Sequence, residues 1–206
     1  MRMRAKLGRT VAALGLVTAG LAGSVATAAP ASADPIIPID WNIDASTTIA
    51  KLGLTQEVTG GSFVGSADLG AGTVTGNLSL PANSIKFQLL GLDLADVGFE
   101  LAPVGATTGT IDLANLSVSI TSTFNIKIPH LYALGINKLN LVGSHCQTAK
   151  PITLTMSGPV DLANPSRFSG EFTIPKFKDC GLLTFAINLI IPGDGNTFTA
   201  AATPKA

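Results

Sequence analysis

The chain reads as an all-β protein, a single domain of long antiparallel strands arranged as a sandwich, a barrel or a half-barrel, with repeated hairpins and one disulfide. Three observations predict this. Apolar residues recur at every second position through much of the chain. Gly, Pro, Asn and Asp punctuate these runs at intervals of roughly 8 to 15 residues. No segment holds a convincing 3.6-residue period over ten or more positions.

In chain order, residues 1–33 read as a secretory signal peptide. Arg2, Arg4, Lys6 and Arg9 form a basic start, Val11 to Ala29 is an apolar run, and Ala31-Ser32-Ala33 supplies the small-residue cleavage site. Cleavage is expected between Ala33 and Asp34. The arginines are not paired and no Cys follows the apolar run, so neither a twin-Arg signal nor a lipoprotein anchor is expected. Residues 34–206 are then a β-rich secreted domain, exported and either free or held at the cell surface. That length suffices for one domain with a real core. Residues 34–38 and the tail Thr203–Ala206 are expected to lie outside the ordered fold.

The strands follow. In Ser117 to Ile128 the positions Val118, Ile120, Phe124, Ile126 and Ile128 are apolar, with Ser122 the exception, and every intervening residue is polar. Such a strand is about 40 Å long with one wet and one dry face. Similar alternation runs through Trp41-Ile43-Ala45, Val74-Gly76-Leu78-Leu80, Ile85-Phe87-Leu89, Val97-Phe99-Leu101, Ile152-Leu154-Met156, Phe172-Ile174 and Phe185-Ile187-Leu189-Ile191. Between strands a weak repeat appears, G-x-x-D-L-[AG], at Gly65–Gly70, Gly109–Ala114 and Gly158–Ala163. Its Asp can cap its own turn and its small residue lets the chain reverse, so these read as hairpin tips, with Gly91 to Ala95 a shorter variant. Read as calcium ligands, the three acids would lack the 6 to 8 oxygens that calcium needs. Gly193-Asp194-Gly195-Asn196 reads as one more hairpin reversal. Leu89–Leu101 and Pro129–Leu141 could each hold a short helix, although Gly91, Gly98 and Gly135 weaken both.

Composition excludes several classes. After the cleavage point nine basic residues face 13 acidic ones, a net charge of −4, which argues against nucleic acid and against anionic headgroups as partners. No later segment reaches the roughly 18 apolar residues of a membrane-spanning helix. The longest, Leu182–Ile191, is interrupted by Thr184 and Asn188 and stopped by Pro192. Cys146 and Cys180 are far from a C-x-x-C redox spacing and are expected to pair as a structural disulfide. His130 and His145 show no metal-ligand spacing, so no metal and no cofactor are expected. Ser144 beside His145 invites thoughts of a nucleophile, but there is no G-x-S-x-G elbow and strand neighbours point apart. Asp40 with Asp44 and Asp93 with Asp96 are the nearest approach to paired carboxylates. No phosphate-cradling loop occurs. No catalytic residue is assigned, and the chain is not expected to be an enzyme.

Several of these pieces resemble a group of exported proteins of unknown function from high-GC Gram-positive bacteria. The resemblance rests on Gly72 to Pro81, Thr107 to Leu113, Cys146-Gln147-Thr148-Ala149-Lys150-Pro151, Phe168 to Pro175, and Cys180-Gly181-Leu182-Leu183 leading to Ile191–Thr197. It implies export, paired cysteines and β-rich character, and carries no activity.

The functional expectation is a non-catalytic binding protein, secreted or associated with the envelope, for an apolar ligand or an envelope component. One-sided apolar strands can enclose acyl chains as readily as they pack on themselves. Phe124, Ile126, Phe172 and Ile174 are the candidate ligand-binding residues. The alternative is a structural or adhesive surface module with no small ligand, its Ser/Thr/Asn-rich faces lying against other surfaces. Cavity volume discriminates the two: several hundred Å³ favours a ligand, and a filled interior favours the module.

Overall fold

The computed structural model describes residues 35–89, 92–133, 139–161 and 165–205, apart from the side chains of 87–94. The expected signal peptide lies outside the described residues. In chain order the strands are β1 (Ile36–Ile49), β2 (Leu54–Asp68), β3 (Thr73–Ser79), β4 (Asn83–Leu89), β5 (Leu92–Pro103), β6 (Thr107–Asp112), β7 (Ser117–Lys127), β8 (Leu131–Ala133), β9 (Gln147–Thr148), β10 (Ile152–Pro159), β11 (Ser166–Ile174), β12 (Phe177–Lys178) and β13 (Gly193–Pro204). One α-helix, α1 (Thr184–Ile190), precedes β13.

Eight strands close an antiparallel barrel in the order β1-β2-β3-β6-β7-β10-β11-β13, with β13 returning to β1. Each barrel strand pairs with the next one along the chain, an up-and-down arrangement that leaves no open edge. Of the architectures the sequence allowed, this is the barrel. Because the strands alternate in direction, the connections β2–β3, β6–β7 and β10–β11 fall at one end. The connections β1–β2, β3–β6, β7–β10 and β11–β13 fall at the other.

The G-x-x-D-L repeats are the three turns of the first end. Asp68 Oδ1 accepts from the Ala71 N–H at 2.8 Å, and Asp112 Oδ1 accepts from Ala114 and Asn115 at 2.9 and 3.1 Å. Asn115 Nδ2 also donates to Asp112 Oδ2 at 2.7 Å, the first cause that holds this carboxyl below its ordinary value. At the third turn the Asp161 N–H donates to Ser166 Oγ at 2.9 Å, and residues 162–164 lie outside the described residues. The first two turns are capped by their own Asp, and the third is held through Ser166.

The far end carries every elaboration. The hairpin β4–β5 is inserted between β3 and β6, β8 and β9 between β7 and β10, and β12 and α1 between β11 and β13. Above the short β6, β5 takes over as partner of β7, with Leu101 opposite Ile126. On the other side of β7, β9 pairs at Lys127. The wall therefore continues past the eight-stranded girdle. The disulfide Cys146–Cys180 joins two of these insertions beside the β9–β12 ribbon, with both cysteines buried.

Alternation decides what faces inward. In β7, Val118, Ile120, Ser122 and Phe124 are buried and their neighbours only partly so. The exception, Ser122, shares a buried 2.8 Å hydrogen bond with Thr107 across the barrel wall, which removes the cost of a lone hydroxyl. In β2 the phase changes at a bulge: Ala45 pairs with Val58 and Ile43 with Gly61, so Thr59 and Gly60 together oppose Asp44, one residue more than on β1. Gly60 adopts φ +78° there and its N–H donates to Asp44 at 3.2 Å. The bulge lets Val58 and Phe63 both point inward although their parities differ.

Four expectations are corrected. Phe185–Ile191 is not a strand: Leu183, Ile187 and Ile191 face the core at helical spacing while Phe185 and Leu189 are exposed. A largely apolar segment satisfies both periods, and Thr184 Oγ1 ties the helix start to the turn before it, accepting from the Cys180 N–H and donating to Gly181 O at 2.8 Å. Gly193–Asn196 is not a reversal but the start of β13, where an irregular register lets Phe172 pair with Asn196 and Ile174 with Gly193. The ends are also ordered further than expected. Ile36 to Pro38 pair with Asp68 to Ser66, and Thr203 and Pro204 pair with Asn42 and Trp41. The possible helix in Leu89–Leu101 is instead the β4–β5 hairpin, with Leu89 opposite Leu92. In Pro129–Leu141 the described residues form β8, and 134–138 lie outside them.

Candidate functional site

The barrel is filled at one end and hollow at the other. In the half near the G-x-x-D-L turns, Phe63, Met156, Phe168 and Ile120 interleave with Gly65, Gly76, Gly109 and Gly158. A void of about 30 Å³ there, and one of about 20 Å³ at mid-barrel beside Ser122 and Leu154, have room for a water or two at most. Gly76 is one position where a side chain has no room, since a Cβ would meet Phe63 Cζ at 2.6 Å. Large residues on one strand are accommodated by glycine on the next.

Toward the elaborated end the interior widens into an apolar cavity of about 160 Å³. Ala45, Phe124, Phe172 and Phe198 form its base. Phe124 and Phe172 meet edge to face, their ring centroids 6.4 Å apart. Ile126, Ile128 and Ile174 continue the wall, Ile85, Val97, Phe99 and Leu101 come from the inserted hairpin, and Ile187, Ile190 and Ile191 come from α1 and its end. Ile49, Leu52, Leu54, Val58 and Leu80 complete the far side. Only Thr47 and Gln56 are polar, and both side chains donate to backbone oxygens, Thr197 O and Glu57 O. The cavity therefore offers shape and apolar surface, with no anchor for a charged group.

Phe124, Ile126, Phe172 and Ile174, the four candidates from the sequence, all line this one cavity. Those the sequence reading missed are the hairpin residues Phe99 and Leu101 and the helix residues Ile187 and Ile190. The helix residues were masked by the strand-like reading of their segment. The hairpin repeats the same alternation as the barrel strands, so nothing in its pattern marks it as an insertion.

The rim is held by amides. Asn196 is buried, and its Oδ1 accepts from the Ala50 N–H at 3.1 Å while its Nδ2 donates to Phe172 O and Gly193 O at 3.1 and 2.8 Å. It ties the β1–β2 connection, β11 and β13 together at the cavity's edge. Asn188 pairs with both backbone groups of Phe177, at 2.6 and 2.9 Å, and so docks α1 onto β12.

The groups considered for catalysis are scattered. His130 stacks on Tyr132 with centroids 4.7 Å apart, lies 3.8 Å from Asp96, and occupies the space a Cβ on Gly98 would need. His145 Nδ1 and Ser144 Oγ do meet, at 3.0 Å, contrary to the expectation that strand neighbours point apart: they sit in a loop, not a strand, and both are exposed. Asp40 is paired with Lys205 at 2.6 Å and Asp44 caps the bulge. The side chain of Asp93 lies outside the described residues. Among the described residues no three His, Cys, Asp or Glu side chains converge as metal ligands, and no helix is long and apolar enough to cross a membrane. Compared with protein-family models, curated proteins and solved structures, the chain matches none.

Proposed function

We propose that this is an exported carrier or receptor for a ligand with a single apolar chain, held in the cavity at the elaborated end of the barrel, without catalysis. One observation carries the reading: an eight-stranded barrel packed at one end and hollow at the other, its hollow lined almost wholly by aliphatic and phenylalanine side chains. Export follows from the basic-apolar-small start of the chain and suits the buried disulfide. The same start and the paired cysteines support kinship with the exported proteins that the chain resembles.

The volume bounds the ligand. About 160 Å³ is the size class in which dry apolar cavities accept a benzene-sized guest, and it is below the usual 300–1,000 Å³ of small-molecule pockets. It admits part of one chain and not a whole lipid. At about 24 cal/mol per Å³, filling it recovers about 4 kcal/mol, which alone corresponds to a millimolar Kd. A tighter ligand must also lie along the apolar rim and leave its headgroup outside.

The small volume is also what favours the second reading, a structural or adhesive module whose hollow is incidental. Titrating the delipidated protein with a polyene fatty acid that fluoresces in apolar surroundings separates the two. The carrier reading expects saturable uptake at one site. An unsaturable, weak rise in signal supports the module.

A further inference from the structure

We propose that the outer face of α1 and the turn before it dock onto an anionic lipid bilayer, so that the cavity exchanges its ligand with that surface. This rests on the reading of the cavity as an apolar-ligand site. Leu182, Phe185 and Leu189 are 98%, 81% and 65% exposed, a cluster of large apolar side chains with no described partner. Isolated exposed apolar residues are ordinary, but three on one helical turn and its lead-in are not.

Two observations point to a lipid surface as the occupant. The first is continuity. Ile190, half exposed at 51%, belongs both to this outer face and to the cavity lining, so apolar surface runs unbroken from the helix into the barrel. A ligand leaving a bilayer at α1 would not cross a polar rim.

The second is charge. Lys51, Lys150, Lys176 and Lys178 are all exposed on segments next to α1, with Asp179 and Asp194 the acids beside them and Glu57 and Glu171 further along β2 and β11. Lys51 Nζ donates to Leu189 O at 3.3 Å, which fixes a cation at the helix's C-terminal end. Lys178 neighbours Phe177, whose backbone holds Asn188 of α1, and Lys176 O accepts from Ala149 beside Lys150. Asp68, Asp112 and Asp161 sit at the opposite end of the barrel, with Asp40 toward it. Acidic side chains stand at the cavity end as well, Glu57, Asp96, Glu100 and Glu171 among them, so the surplus of cations is local to the segments packed on α1, and the vesicle experiment decides between it and the expectation from the net charge of −4. An apolar helix face rimmed by lysines is the pattern that lies in a membrane interface.

The test is co-sedimentation of the full exported protein with vesicles of phosphatidylcholine alone and of phosphatidylcholine with about one-third phosphatidylglycerol. The wild type is expected to bind the anionic vesicles more tightly. Phe185→Asp combined with Leu189→Asp alters only exposed positions and should lower that affinity by about tenfold or more, with the unfolding transition unchanged. Lys176→Glu with Lys178→Glu should abolish the preference for phosphatidylglycerol. In vesicle-free solution, uptake of the fluorescent fatty acid should be the same in wild type and the Phe185/Leu189 variant. Absence of vesicle binding by the wild type, or equal binding by the apolar-face variant, overturns the docking even if fatty-acid uptake persists. A wild-type dimer in sedimentation velocity, lost in that variant and unaccompanied by vesicle binding, overturns it in favour of a second copy. Loss of fatty-acid uptake with vesicle binding intact removes the carrier reading instead. Equal binding to both vesicles overturns the role given to the lysines.

Discussion

Replacing Ala45 with Leu tests whether the hollow is a binding site or slack in the packing. Ala45 lies at the base of the cavity, buried, beside a void of about 160 Å³. An unfilled apolar void of that size costs the fold about 4 kcal/mol at about 24 cal/mol per Å³. Leu adds three carbons, and at about 0.8 kcal/mol for each methylene-sized group their burial offers up to about 2.4 kcal/mol. Rotamer restriction and imperfect fit reduce this, so delipidated Ala45→Leu is expected to gain about 1 to 2 kcal/mol in urea unfolding. The same volume is then denied to a ligand. Losing three methylene contacts corresponds to about fiftyfold weaker fatty-acid binding, measured by fluorescence titration. Stability and affinity should move in opposite directions. A variant that is less stable than wild type by more than about 1 kcal/mol, or that binds the fatty acid equally well, refutes the reasoning.

Four further outcomes follow from the same structure. Cys180→Ser should cost about 3 to 4 kcal/mol in equilibrium unfolding, because the bridge closes a loop of 34 residues' separation, and Cys146 should then react with a thiol reagent only on unfolding. Asn196→Ala should cost about 1 to 3 kcal/mol and loosen the cavity rim, since it removes the partner of the part-buried Ala50 N–H and strands the buried Phe172 carbonyl, and hydrogen exchange at Ala50 should accelerate. Thr107→Val or Ser122→Val alone should each destabilise by about 1 to 3 kcal/mol, while the double substitution should cost less than their sum, a coupling read from a double-mutant cycle. Asp112 is held below its ordinary value by Asn115, so its contribution is complete above the unfolded carboxylate range and is lost as pH falls through its lowered folded value. An NMR titration should find it low in the wild type and nearer ordinary in Asn115→Ala.

How much of this was legible in the sequence depends on which physical signal each element carries. β7 was plain because a strand buried on one face must alternate, and even its exception, Ser122, was visible as an exception. The G-x-x-D-L turns were legible because an Asx turn needs its Asp at one fixed place, and their recurrence marks one end of the barrel. Barrel closure was not legible: it depends on β13 finding β1 and β10 finding β7, pairings no local pattern encodes. The segment around α1 misled because a largely apolar run fits either period. The Gly193–Asn196 tract misled because its composition is that of a loop, whereas Asn196 is buried and makes three hydrogen bonds. Phe124, Ile126, Phe172 and Ile174 could be named in advance because inward-facing bulk on long strands lines whatever the barrel encloses. The part of the lining supplied by the β4–β5 hairpin and α1 could not, since insertions reach the cavity only through the tertiary fold.

The most direct test of the carrier account is native mass spectrometry of the protein taken from the culture medium of its own source, followed by organic extraction. The account predicts a discrete mass excess over residues 34–206 that passes into the organic phase as a molecule with one apolar chain. A mass equal to that of the disulfide-bonded chain alone, with nothing extracted, contradicts it.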